Sequence, residues 1–162
     1  MAGRESTALK LKANAQRRFR DAFLPRLRAS IRAPLEAAEF LVAPDSVQHI
    51  QAVFPYTEGR EEILSAPGYS YCELERSCDA ISVVSDVAVG ISNMEALLRP
   101  GDQAPLFRIR LDWGLANFVR LYEDAGPPLW LWTEDLSTGL IIDSFGDAER
   151  CEVFQVAKWG TA

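Results

Sequence analysis

Apolar and polar residues alternate strictly through residues 106–113. Phe107, Ile109, Leu111 and Trp113 fall on one side, and Arg108, Arg110 and Asp112 on the other. A period of two over eight residues predicts a strand with one face built for burial. After Gly114, residues 117–123 fit a second strand, although an amphipathic helix suits the same apolar spacing. Asp124, Ala125, Gly126, Pro127 and Pro128 then form dense turn chemistry. Residues 129–134 and 140–145 flank residues 135–139, a spacing that predicts a hairpin with Gly139 in the left-handed position. Residues 146–149 predict a turn or a short helix, and residues 151–159 a closing strand. The expectation is an antiparallel meander of four to five strands across residues 105–159.

A sheet of that size needs cover on its apolar face, and the front of the chain is the available source. Leu11, Ala15, Phe19 and Phe23 recur at i+4, which predicts a helix from about Ser6 with those residues as its apolar stripe. Pro25 should end or kink that helix, and Leu27 and Ile31 continue the stripe. Pro34 punctuates again, with a short apolar helix expected over residues 35–42. Residues 1–43 thus read as a bent, basic helical arm, and residues 44–100 as mainly helical. Val47, Ile50 and Phe54 mark one short helix there, and Thr57 begins another. Residues 69–73 suit an extended segment. Residues 77–98 carry both helical spacing and β-branched density. A core helix is the preferred reading, with a buried strand over 80–89 and a helix beginning near Ser92 as the alternative. The fold class expected is α+β, a helical N-terminal half packed on a C-terminal antiparallel sheet, in a single domain over residues 1–162.

Charge changes this picture more than composition does. The chain of 162 residues has a net charge of −6, yet residues 1–32 hold nine of its seventeen basic residues against Glu5 and Asp21. That arm carries +7 and the remainder −13. A basic arm on an acidic body can bind phosphates, lie on an anionic surface or fold back on its own domain. The three cysteines, Cys72, Cys78 and Cys151, include no CxxC pair, which suits a reducing, cytoplasmic setting, and Cys72 and Cys78 are read as small buried hydrophobes. No apolar run approaches the roughly 20 residues of a membrane helix.

Sequence chemistry favours binding over catalysis. The one histidine, His49, falls on an expected surface face, and no GxGxxG, P-loop, HExxH or GxSxG motif is present. No catalytic residue, metal site or cofactor is expected. Adjacent carboxylates such as Glu134 and Asp135 should point apart rather than converge. The constellation worth carrying forward is Arg108 and Arg110 with Arg120 from the neighbouring strand, beside Trp130 and Trp132, all on the second face of the sheet. Guanidinium forks and indole rings together suit a planar anionic ligand, a nucleobase or a protein hot spot. The competing reading buries both tryptophans under the helices and pairs the arginines with Asp112, Glu123 or Asp143.

Three functions follow from these residues. The leading expectation is a non-enzymatic acidic module that docks on a protein partner, one that is basic, as immunity proteins and adaptors of this broad architecture do. The second is nucleic-acid binding through residues 4–32. The third is a small-molecule enzyme with an arginine and tryptophan cleft.

Overall fold

The computed structural model describes residues 2–41, 68–85, 94–101, 104–135, 137–145 and 153–160. Strands β1 (Glu39–Leu41), β2 (Ser70–Leu74), β3 (Glu95–Pro100), β4 (Leu106–Arg110), β5 (Leu129–Trp132), β6 (Gly139–Phe145) and β7 (Val153–Trp159) form one sheet. Its order is β1-β4-β3-β5-β6-β7-β2, and every pairing is antiparallel. Helices α1 (Ala2–Phe23), α2 (Ala29–Ala37), α3 (Ser77–Ser85) and α4 (Leu111–Ala125) complete the described elements, with a 3-10 turn over Leu24–Arg26. The α+β class with an antiparallel sheet therefore holds. The sheet has seven strands rather than four or five, because three of them come from the first hundred residues.

Two local expectations fail, each because the apolar pattern misstates the element. Residues 95–100 are a strand and not the end of a core helix, since β3 lies inside the sheet between β4 and β5 and is covered on both faces. Ala96 and Leu98 join one core, Leu97 the other, and all are buried. A strand covered on both sides reads as a near-continuous apolar run, so periodicity cannot separate it from a helix. The converse error affects residues 117–123, which belong to α4. Leu111, Phe118, Leu121 and Tyr122 are buried at helical spacing, and the strict alternation of residues 106–113 ran from β4 into the first turn of this helix. Gly126, at φ 73°, ends it by donating its N–H to the Tyr122 carbonyl at 2.8 Å, and the Pro127–Pro128 peptide bond after it is cis.

The hairpin of β5 and β6 is where the sequence placed it, but Gly139 serves another purpose. It is absent from the positive-φ glycines, and a Cβ there would overlap the ring of Trp159, its direct neighbour on β7. The short apolar helix expected over residues 35–42 is replaced: α2 runs through Pro34 to Ala37, and residues 39–41 become an edge strand on β4. Pro25 does break the arm, standing in the first turn of the 3-10 segment. The extended reading of residues 69–73 agrees with β2. The expected helices around Val47 and Thr57, His49, the turn at residues 146–149 and Cys151 lie outside the described residues. Cys72 is half-buried, and that burial pushes its thiol up, whereas Cys78 is exposed and not the buried hydrophobe expected.

Each face of the sheet carries a buried cluster. On the helix side Phe23, Leu24, Leu27, Ile31 and Leu35 of the arm pack with Phe118 and Leu121 of α4 over Leu98, Phe107, Leu131 and Ile142. On the other side Leu97, Leu106, Trp130, Trp132, Ile141, Ala157 and Trp159 make a second cluster. The arm is fastened by charge as well. The Arg28 backbone N–H donates to Asp124 Oδ2 at 3.0 Å and its Nε to Oδ1 at 2.8 Å, while Nη2 reaches Glu123 at 3.0 Å. Burial alone would raise the Asp124 carboxyl, but the hydrogen bonds from Arg28 outweigh it and hold the group below its ordinary range. A depressed carboxylate contributes stability above its unfolded value, about 3.9, and loses it as pH falls through the folded value. The melting temperature of Asp124→Asn should therefore lie a few degrees below that of the parent at pH 7, and the gap should narrow as pH falls below the unfolded value. A gap that stays constant as pH falls would rule out this ion pair as its source.

Candidate partner-binding site at the sheet edge

Register across the strands fixes which side chains stand side by side. Glu39, Arg108, Leu97, Trp132, Gly139 and Trp159 are successive direct neighbours from β1 to β7 and so share one face. Arg99, Trp130, Ile141, Ala157 and Tyr71 form a second such row, and Glu95 stands opposite Arg110 in a third. Arg108, Arg110, Trp130 and Trp132 thus occupy the same face, the one away from the helices. Arg120 does not join them: it is exposed on α4, because its segment is helical. The tryptophans are buried, at 6% and 3% exposure, in the second cluster rather than under the helices.

The cation that meets an indole is one the sequence reading missed. Arg99, buried on β3, places its guanidinium carbon 5.0 Å from the Trp130 ring centroid, and its Nε donates to the Ala104 carbonyl at 3.3 Å. A helical reading of residues 77–98 hid this residue. The signal available was the run from Glu95 to Pro100, a short apolar stretch closed by a proline and a glycine.

Arg108 and Arg110 instead line a cavity of about 630 Å³ at the free end of β4. Strand β1 pairs with β4 only as far as Glu39 and Arg108, and the chain before it turns back into α2. Past that point Ile109 and Arg110 have no strand partner on the outer side among the described residues, and the hollow lies there. Pro34, Ala37 and Ala38 form one wall, Trp113 and Ala116 another, and Ile109 the floor, with Asn117 and the two arginines at the margin.

Carboxylates hold both guanidinium groups. Arg108 reaches Glu39 at 3.0 Å, Glu134 at 2.5 Å and Glu95 at 3.8 Å, and the hydrogen bond it donates to Glu134 drives its pKa further up. Arg110 makes a fork to Asp112 at 3.0 and 2.5 Å, which lowers the Asp112 carboxyl and raises its own guanidinium. Asp112 Oδ1 also accepts the Trp113 backbone N–H at 2.8 Å, fixing the start of α4. Two cations and four anions give this cluster a net charge of about −2, and of the four carboxylates only Asp112 lines the cavity itself. Glu39, Glu95 and Glu134 each remain more than half exposed. Glu134 and Asp135 do point apart, Glu134 to Arg108 and Asp135 into its own turn at Ser137.

The fold and this site define an α+β protein with a seven-stranded antiparallel sheet and, at one end, an apolar cavity beside an ion-pair cluster. The chain belongs to a family described as YokC prophage protein, whose model matches residues 1–147. No curated protein matches the chain, and no solved structure does. No helix among the described residues is long and apolar enough to cross a membrane, and they hold no group of three or more potential metal ligands.

Proposed function

We propose that this protein is a non-enzymatic binding module that docks a basic segment of a partner protein at the cavity beside β4. The observation that carries the reading is an apolar cavity beside a cluster of two arginines and four carboxylates with net charge near −2, three of whose glutamates stay more than half exposed. An apolar pocket ringed by charge is the anatomy of an interface in which one buried anchor supplies affinity and the rim supplies orientation and rate. The occupant this chemistry fits is a segment with one apolar side chain beside lysine or arginine. An anionic ligand fits poorly, because Arg108 and Arg110 are already committed to carboxylates and adding a second anion would strand one of them. The ion-paired residues at the cavity also argue against acid–base work. Pairing pushes the arginines up and Asp112 down, away from the neutral range that proton transfer needs.

Filling the hollow tests this directly. Ala37 and Ala116 are exposed, so tryptophan there should occupy the cavity without disturbing the core. Ala37→Trp should abolish retention of a partner that the parent protein holds at moderate salt. Neutralising Glu39, Glu95 and Glu134 together to glutamine should slow association on the order of tenfold at low salt and flatten its salt dependence. A partner bound equally well by the filled variant would remove the cavity from the interface.

A further inference from the structure

We infer that the outward face of α1 is a phosphate-contacting surface for duplex nucleic acid, separate from the cavity and independent of the function proposed for it. Burial along α1 divides the helix lengthwise. Gln16 and Phe23 are buried and Phe19 and Arg20 half-buried, while Lys10, Leu11, Asn14, Arg17, Arg18 and Ala22 are exposed. The i+4 stripe therefore faces inward only from about Gln16, and Leu11 is 66% exposed rather than part of it. Farther along the arm, Arg28 is tied to Asp124 and Arg32 to Glu36, and Arg20 donates to the Glu36 carbonyl at 3.3 Å. Lys10, Arg17 and Arg18 make no ion pair among the described residues, and Asp21 is the one acid described on their side of the helix.

Geometry and chemistry choose the occupant. Arg17 follows Lys10 by seven positions, so the two lie nearly in line about 10.5 Å apart along the axis. A duplex presents one negative charge per roughly 1.7 Å of its length, and the arginine fork matches phosphate oxygens two at a time. An anionic membrane is the poorer fit, since a helix lying in a bilayer surface needs an apolar face, and Phe19 and Phe23 are turned to the core. The outward face carries no exposed aromatic ring for stacking on bases. Contacts are thus to phosphates alone, and binding is independent of sequence.

Anisotropy of a fluorescent 20-base-pair DNA, titrated with the full chain, reads this out. Three phosphate contacts give a slope of about −2.7 in log affinity against log salt, a fall of roughly 40-fold between 50 and 200 mM. Lys10→Gln/Arg17→Gln/Arg18→Gln, whose circular dichroism should match the parent, is expected to lose that binding, while Ala37→Trp keeps it. Three results would each overturn the inference: no binding at 50 mM salt, equal binding by the triple variant, or variant-sensitive binding to vesicles of anionic lipid without binding to the duplex.

Discussion

Gly139→Val should be among the most damaging single substitutions in this protein, lowering stability by about 3 kcal/mol or more. The Trp159 ring lies where the added Cβ would go, and Trp159 is fully buried, so the ring has nowhere to withdraw. Both residues sit inside paired strands, β6 and β7, whose register leaves little slack. Thermal unfolding should register a fall of about 6–12 °C for a chain of this size. The specific check is the pair. Trp159→Leu alone leaves a void, but combined with Gly139→Val it should recover at least about 1 kcal/mol relative to the sum of the two single changes. Simple additivity, or a Gly139→Val protein that melts within a degree or two of the parent, would mean that the ring and the glycine are not in contact.

The second large effect lies on the face that carries no described helix. Trp132 is 3% exposed in the cluster with Leu97, Ile141 and Trp159. Trp132→Ala should cost about 3–5 kcal/mol, as much as Phe118→Ala on the helix side. Chemical denaturation of both variants makes the comparison. A loss below about 1 kcal/mol for Trp132→Ala beside a full loss for Phe118→Ala would show that only one face of the sheet is dry.

The parts legible in the sequence are those where one periodicity dominates. The hairpin of β5 and β6, the last strand and the break at Pro25 carry local chemistry that tertiary context does not override. Strand β3 is opaque because burial on both faces erases alternation. Helix α4 is opaque because its first turn continues the alternation of the strand before it, so Leu111 and Trp113 look like strand positions. At the candidate site the second-face placement of Arg108, Arg110, Trp130 and Trp132 followed from alternation alone. The pairing of Arg108 with Glu39 and Glu95 did not, since it depends on β1 and β3 being strands at all. Arg120 was misplaced by the same error that misread α4. The run from Glu95 to Pro100 marked the strand that carries Arg99, but its contact with Trp130, thirty-one residues further on, depends on the pairing of β3 with β5.

The sheet order gives the front of the chain a second task beyond roofing a core. Strands β1 and β2, both from the first half, flank the other five, so the sequence that arrives first closes off the rims of what is built last. Without them β4 and β7 would present raw hydrogen-bonding margins flanked by apolar side chains, the kind of surface on which chains stick to their own copies. The hollow lies where that sealing is incomplete at one corner: β1 stops three residues into its pairing, and the gap it leaves is the opening the proposed partner would use.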